Sequence, residues 1–258
     1  MKAMTDTALP QRTAWPRLYG TSARIGMIVP PSNTTNESET AAFAPPGVTV
    51  HTTRMRLHLD AGKPGFEEEV YADLDAAVDL LAPLEPTVVV YACTAGSMLL
   101  PRADVIARME RRAGCPAITT SGAIQDALSA LGVTRVAVAT PYEEPLNAHE
   151  RHWFEDQGIG VTAIGGLDIC VTTRDVRNLC RVPEDVLENL AADVLARGGA
   201  PEALQLSCTD LPTFHLIERF ENRFGLPVVS SNQATFWAAL RASGVNDPVT
   251  GLGRLLTI

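Results

Sequence analysis

The sequence has no surplus of basic residues, and this excludes one large class of partners. Its 258 residues include 21 Lys and Arg against 30 Asp and Glu, a formal net charge of −9 at pH 7. Binding to nucleic acid or to an anionic membrane surface requires enough positive charge to neutralise phosphates. We therefore expect neither partner, whereas a small anionic substrate needs only a few local donors.

Long apolar runs are missing as well. No stretch approaches the ~20 apolar residues of a membrane-spanning helix. Residues 1–22 contain basic side chains but lack the apolar segment of a secretion signal. We interpret residues 1–22 as a flexible leader and expect a cytoplasmic protein.

Cysteine motifs and nucleotide-binding motifs are also absent. The five cysteines lie at positions 93, 115, 170, 180 and 208, an odd number with no C-x-x-C pair. This spacing argues against a disulfide scaffold or a four-cysteine zinc site and favours reduced thiols. The sequence contains no G-x-G-x-x-G and no G-x-x-x-x-G-K-[ST], so nucleotide binding has little support.

What the sequence does contain is a regular alternation of strand-like and helix-like segments. Strands are predicted at 24–31, 47–54, 88–91, 116–120, 135–141, 161–164, at a run from 203 and at 227–231; helices are predicted at 65–81, 102–112, 121–132, 145–157, 183–197 and 213–224. Such alternation is typical of an α/β protein with parallel sheets flanked by helices.

The second half of the chain repeats the first. Pro116 and Pro227 open similar segments 111 positions apart, and Ile25 and Val136 in similar strands have the same offset. The repeat predicts two similar α/β lobes, and if they face one another a cleft lies between them. We assign residues 23–120, joined by 233–258, to the first lobe and 121–232 to the second.

Each lobe carries a cysteine directly after a buried strand. Cys93 follows the strand Val88–Tyr91, and Cys208 follows the strand that starts at Ala203; each cysteine precedes a threonine. Ligands of open parallel sheets bind beyond the carboxyl ends of the strands, which is where both thiols are expected. A thiolate can serve as a nucleophile or a base, so the pair could add to a double bond or move protons on two faces of a carbon. Neither reaction needs a metal or a cofactor, and we expect none.

Several segments resemble a known family. They are IGMIVPPSNTTNESE at 25–39, HTTRMR at 51–56, Tyr91-Ala-Cys93 and Thr140-Pro-Tyr142. These segments are similar to the aspartate/glutamate racemase superfamily and, within it, to the maleate cis-trans isomerases. The residues at 25–31, 227–231, Phe236-Trp237 and 251–254 look more like the arylmalonate decarboxylases, a branch that lacks the first cysteine. The resemblance implies two lobes related by a pseudo-twofold axis, with the active site in the cleft between them.

The resemblance implies a role for each matching residue. Cys93 would be the nucleophile and Cys208 the acid/base partner in converting maleate to fumarate. The residues implied in holding the substrate are Asn33, Thr34, Arg54, Thr94, Ala95, Tyr142 and Thr209. The resemblance also implies a small carboxylate substrate and a homodimer or higher homo-oligomer.

Two alternatives remain beside the isomerase. The segment Cys208-Thr209-Asp210 looks like the C-T-E of amino-acid racemases, so a racemase or decarboxylase acting on an amino acid, hydantoin or substituted malonate is one alternative. A non-catalytic protein that binds a small acid in the cleft is another, and it would have no need of reactive thiols.

Overall fold

Two parallel four-stranded sheets are present in the computed structural model of the protein, which describes residues 16–58, 60–169 and 175–258. The first sheet has the order β2-β1-β3-β4 and the second the order β6-β5-β7-β8. The strands are β1 Ala23–Val29, β2 Val48–Arg54, β3 Val88–Tyr91, β4 Ala117–Thr119, β5 Arg135–Thr140, β6 Gly160–Gly166, β7 Ala203–Leu206 and β8 Val228–Ser230. All neighbouring strands are parallel.

Helices connect and flank the strands. They are α1 Asn36–Ala42, α2 Phe66–Leu81, α3 Thr94–Met98, α4 Arg102–Ala113, α5 Thr120–Ala130, α6 Glu144–Asp156, α7 Glu184–Ala196, α8 Ile217–Phe224 and α9 Ser231–Ala242. Short 3-10 helices occupy Ala82–Leu84, Asp175–Arg181, Phe214–Leu216 and Arg254–Thr257. The prediction of an α/β protein with two similar parallel sheets is therefore confirmed.

The repeat extends to the way in which equivalent helices begin. Thr119 caps α5 by accepting a hydrogen bond from the Gly122 N–H, and Ser230 caps α9 by accepting one from the Gln233 N–H. Thr119 and Ser230 are again 111 positions apart. The same side-chain chemistry thus starts the helix that follows the last strand of each sheet. The exact domain limits stay predictions.

One hydrophobic core joins the two lobes. Helices α5 and α9 pack against each other, and their buried side chains share a cluster with β1 and β3 of the first sheet and β5 of the second. Two further clusters lie on the outer faces, one under α2 and α4 and one under α7 and α8. The shared core holds the carboxyl ends of the two sheets in a fixed relation.

The structure differs from the prediction at two connections. The sequence predicts no helix before residue 65, yet α1 begins at Asn36, because Asn33 Oδ1 accepts hydrogen bonds from the N–H groups of Thr35 and Asn36 and opens a helical turn. The helix predicted at 213–224 begins as a 3-10 turn and becomes α-helical only at Ile217.

Some expectations concern residues that the structure leaves undescribed. Residues 1–15 of the proposed leader and Cys170 lie outside the described residues. Within the described ranges, no helix has both the length and the apolar character needed to cross a membrane.

Candidate active site

A cavity lies between the carboxyl ends of the two sheets. It contains about 410 Å³ of empty space when the solvent at its opening is included. Both lobes contribute to its lining, which consists of Pro30, Ser32, Leu57, Cys93, Thr94, Ala95, Tyr142, Leu146, Val176, Leu179, Cys208, Thr209 and Asp210. Six of the residues predicted from the sequence as site residues are therefore brought together here.

Cys93 is positioned by the junction of β3 and α3. Its backbone is extended, and its sulfur accepts a hydrogen bond from the Gly96 N–H at 3.4 Å, so the thiol caps the first turn of α3. An N–H donor directed at the sulfur favours the thiolate over the thiol. The Cys93 thiol thus lies at a strand-to-helix junction.

Cys208 has a different backbone. Its backbone φ is +99°, a value that residues other than glycine rarely adopt. Its sulfur accepts a hydrogen bond from the Asp210 N–H at 3.4 Å. No helix starts at Cys208. Residues 208–211 form a turn in which the Leu211 N–H donates to the Cys208 carbonyl at 3.4 Å, and the next helical residues begin at Phe214. Strained backbone of this kind concentrates at functional sites.

Hydrogen bonds link the two cysteine segments. The Ser231 hydroxyl oxygen accepts from the Thr94 hydroxyl at 2.8 Å and from the Cys208 N–H at 3.1 Å. The Thr209 hydroxyl donates to the Ala92 carbonyl at 3.2 Å. Each threonine that follows a cysteine therefore ties its own lobe to the other. Ser231 was missed by the sequence reasoning, although it lies in the Ser-Ser pair that was noted.

Tyr142 lines the cavity as predicted from the strand-end motif. It follows β5, and its backbone is fixed by two bonds: its N–H donates to the Thr140 hydroxyl at 3.0 Å, and its carbonyl accepts from the Asn147 amide at 3.1 Å. Its side chain is buried, with 3% of the residue exposed.

Three predicted substrate-binding residues do not line the cavity. Asn33 is fully buried and donates to the Thr209 hydroxyl at 3.2 Å. The Thr34 side chain is exposed. Arg54 forms an ion pair with Glu37 at 2.6 Å and donates to the Asn33 carbonyl at 3.2 Å. Asn33, Thr34 and Arg54 support the lining residues here, and their direct contact with a substrate stays a prediction.

The sequence reasoning did not place Asp210 or the apolar wall in the site. Burial raises the pKa of the Asp210 carboxyl to about 6, opposed by hydrogen bonds from the Thr34 N–H and the Thr35 hydroxyl. The apolar side of the cavity is formed by Leu57, Leu146, Val176 and Leu179. Leu57 and Val176 lie in or near connecting segments whose hydrophobic residues show no regular spacing, so the sequence does not indicate that they line a site. Asp210 could have been predicted, because it directly follows Cys208-Thr209.

Two further buried carboxyl groups lie near this region without lining the cavity. Glu39 of α1 accepts hydrogen bonds from the N–H groups of Thr213 and Phe214, at 2.6 and 2.8 Å, and burial raises its pKa to about 7. Glu150 of α6 accepts a bond from the hydroxyl of Ser207, the residue before Cys208, and burial likewise raises its pKa to about 7. Among the described residues, no three His, Cys, Asp or Glu side chains are grouped as a metal site would require.

The fold and the site together define a two-lobed α/β enzyme with one thiol from each lobe in a shared cavity. A family model described as arylmalonate decarboxylase matches residues 25–256. The chain belongs to this family.

Individual relatives divide between two activities. A maleate isomerase of Nocardia farcinica is 31% identical over 246 residues, covering 90% of this chain and 95% of that protein. An arylmalonate decarboxylase of Bordetella bronchiseptica is 34% identical over 148 residues, covering 57% of this chain and 60% of that protein. A solved structure superimposes with a TM-score of 0.80 at 28% identity, covering 91% and 98% of the two chains. It is the Nocardia farcinica maleate cis-trans isomerase, in a cysteine-to-serine mutant with a covalently bound succinylcysteine intermediate. These relatives show that the chain is an enzyme and point to an isomerase.

Proposed function

We propose that this protein is a cofactor-independent cis-trans isomerase of a small dicarboxylate, with maleate to fumarate as the leading reaction. The observation that carries the proposal is the presence of Cys93 and Cys208 on one small cavity, each at the carboxyl end of a strand from a different lobe. The maleate isomerase relatives, one of them with a succinylcysteine intermediate, support the same chemistry.

The reaction divides between the two sulfurs. The Cys93 thiolate adds to one olefinic carbon and forms a C–S bond. The electron pair of the double bond moves to the second carbon, which takes the proton of the Cys208 thiol. The product is a succinyl thioether in which the former double bond is a single bond and rotates.

Elimination then reverses these steps in the rotated geometry. The Cys208 thiolate removes a proton from the second carbon, the double bond re-forms, and the Cys93–carbon bond breaks. Fumarate leaves, Cys93 is again a thiolate and Cys208 is again protonated, so no atom or electron is gained or lost. Groups available to stabilise charge on the substrate carboxylates are Ser32, Tyr142 and the backbone N–H groups of Thr94 and Ala95.

A second candidate function is decarboxylation of a malonate that carries an apolar substituent. The family model and the wall of Leu57, Leu146, Val176 and Leu179 favour it. Cys93 argues for the isomerase, because a decarboxylase that protonates one face of a carbon needs only one of the two thiols.

Proton NMR of the protein with maleate in deuterated buffer tests the proposal directly. We expect the fumarate signal to appear, and we expect Cys93→Ala and Cys208→Ala each to lower turnover by roughly 100-fold or more. Cys115→Ala is the matched control, because that cysteine lies outside the cavity lining, and it should keep full activity. Near-complete activity in either cavity variant would contradict the two-thiol scheme.

The same samples separate the alternatives. Absence of fumarate, together with carbon dioxide release from phenylmalonate, would favour the decarboxylase. Exchange of an amino-acid Cα proton would favour a racemase. The homo-oligomer and the cytoplasmic location stay predictions from the sequence.

A further inference from the structure

The cavity contains a carboxyl group that the isomerase mechanism does not use. Asp210 lies two residues beyond Cys208 and lines the same space. Of the described residues that line the cavity, Asp210 is the single carboxylate, and none is a lysine, arginine or histidine. A dianion entering this cavity therefore meets an acidic group and no cationic side chain.

The Asp210 carboxyl is held in a fixed position. It accepts hydrogen bonds from the Thr34 N–H and, at 3.5 Å, from the Thr35 hydroxyl, which also donates to the Asp210 carbonyl at 3.0 Å. The Asp210 N–H is bonded to the Cys208 sulfur. Only 5% of the residue is exposed. The carboxyl cannot swing out into solvent without breaking these contacts.

The charge of a dicarboxylate makes this arrangement unfavourable while Asp210 is ionised. Two carboxylates that lie close together in a poorly solvated space raise each other's pKa, and one of them takes up a proton as a result. A neutral carboxylic acid is also a hydrogen-bond donor, the type of group that a carboxylate ligand requires. A substrate with an ammonium group would instead bind the ionised form.

We propose that Asp210 is a specificity-determining residue that binds dicarboxylates as a neutral acid. It takes one proton from solvent as the dianion enters and donates it in a hydrogen bond to one carboxylate of the ligand. The inference rests on the proposed function for the class of ligand. It also gives a role to the segment Asn33-Thr34-Thr35, because Thr34 and Thr35 hold this carboxyl in place.

Burial makes the Asp210 carboxyl easier to protonate. The pKa of Asp210 is raised to about 6, so the protein without ligand is largely ionised at pH 8 and largely protonated at pH 5. Binding of a dianion raises that pKa further. The affinity for a dicarboxylate should then be highest below pH 6 and should fall as pH rises above that value.

Other ionisable groups belong to the elements packed against Asp210. They are Cys93, Cys208 and Tyr142 in the cavity, Glu37 and Glu39 on α1, and Arg54 on β2. Glu37 is paired with Arg54, which lowers its pKa. Glu39 is the group whose titration could be confused with that of Asp210, because burial raises its pKa to about 7.

Calorimetric titration of the full chain with succinate tests the proposal. Succinate is a four-carbon dicarboxylate without the double bond, so the isomerase reaction does not occur during the measurement. We expect the wild-type protein to lose affinity by roughly tenfold per pH unit above pH 6, beyond any change due to the ligand. Titrations in two buffers of different ionisation enthalpy should show uptake of about one proton per succinate at pH 8.

Asp210→Asn provides the matched variant, since its amide donates a hydrogen bond at every pH. We expect it to bind succinate at least about tenfold more tightly than the wild type at pH 8, with no proton uptake. The ionisation of succinate is the same for both proteins, so the ratio of their affinities isolates Asp210. Glu39→Gln is the control and should keep the wild-type dependence on pH.

Four results would overturn the proposal. They are equal pH dependence in the wild type and Asp210→Asn, no succinate binding by the wild type at pH 6, loss of binding in a folded Asp210→Asn, or aspartate binding at pH 8 that Asp210→Asn abolishes. Fumarate formation is measured separately. Fumarate without proton uptake would reject only the role of Asp210, and proton-linked binding without fumarate would reject only the isomerase.

Discussion

Glu150 illustrates how one buried carboxyl can control stability near the site. It is completely buried on α6, one of its oxygens accepts the Ser207 hydroxyl bond, and the other has no partner among the described residues. Gln205 Oε1, on the adjoining strand β7, is likewise without a partner within the described part of the chain. Burial and the Ser207 hydrogen bond are the influences on the Glu150 carboxyl, and no cationic side chain stabilises its charge among the described residues.

The sign of the resulting pH dependence follows from the raised pKa. Burial moves the pKa of Glu150 from 4.5 to about 7, so the folded protein holds this proton more tightly than the unfolded chain. The stabilisation is complete below about pH 4.5 and is lost as pH rises through about 7. The maximum effect is on the order of 3 kcal/mol.

We predict that Glu150→Gln is stabilising at pH 8 and close to neutral at pH 5. Glutamine keeps an acceptor for Ser207, adds an N–H donor and cannot ionise. The melting temperature at the two pH values measures the effect. Glu155→Gln on the same helix is the control, because that side chain is 48% exposed and should change little at either pH. An equal effect of Glu150→Gln at pH 5 and pH 8 would show that ionisation is not responsible.

At the scale of the element, the short helix α3 determines where the first thiol lies. Gly96 stands in its first turn, and a Cβ at this position would overlap the Tyr91 hydroxyl and approach the Cys93 sulfur to 3.1 Å. Tyr91 is buried, so its ring has little freedom to move away. Glycine is therefore required here by close packing.

We predict that Gly96→Ala has a larger effect on the reaction rate than on the free energy of unfolding. Displacing the first turn of α3 by a fraction of an ångström moves the Cys93 sulfur and its N–H donor, and a displacement of about 1 Å can cost roughly 100-fold in rate. Overpacking should lower the free energy of unfolding by about 1–3 kcal/mol. The alkylation rate of Cys93 and maleate turnover measure the first effect, and denaturant unfolding measures the second.

Gly62→Ala is the corresponding control, since no atom lies within 4 Å of a Cβ built there. Unchanged alkylation of Cys93 in Gly96→Ala would mean that α3 tolerates the added methyl group without moving the thiol.

The strands could be predicted from the sequence more readily than the short helices. The strands could be predicted because runs such as Val88–Tyr91 are apolar throughout, which is typical of strands buried on both faces. Helix α1 could not, because it is only seven residues long and its first turn depends on the Asn33 side-chain oxygen, which accepts hydrogen bonds from the N–H groups of Thr35 and Asn36. The positive φ of Cys208 has no signal in residue type, since cysteine does not favour it.

The site was predictable to a similar extent and for a similar reason. Cys93 and Cys208 each follow a buried strand at the carboxyl edge of its own sheet, where ligands of parallel sheets bind, and both line the cavity. Asn33 and Arg54 have the polarity expected of ligand-binding residues, but in the structure they hold Thr209 and Glu37. Local sequence does not distinguish a polar group that contacts a ligand from one that supports the wall.

At the scale of the whole molecule, the two lobes share one core and should unfold together. Phe236 of α9 is fully buried in this core, and its ring lies 6.0 Å from that of Phe214. Because strands of both sheets contribute to the cluster, a cavity created in this shared core destabilises both lobes together.

We predict that Phe236→Ala lowers the free energy of unfolding by about 3–5 kcal/mol and keeps a single transition. Differential scanning calorimetry measures both the shift and the number of transitions. Leu80→Ala is the control, because Leu80 is 68% exposed and its truncation should have little effect. Two separate transitions, of which only one moves, would show that the lobes unfold independently.

The backbone difference between the two thiols has a consequence for the order of events in the cavity. The sheets are near copies, yet Cys93 is extended before a helix and Cys208 has a φ of +99° in a turn. A ligand whose two halves are identical therefore meets two unlike sulfurs. The two halves of a symmetric ligand therefore become inequivalent as soon as it binds, because each half faces a different sulfur.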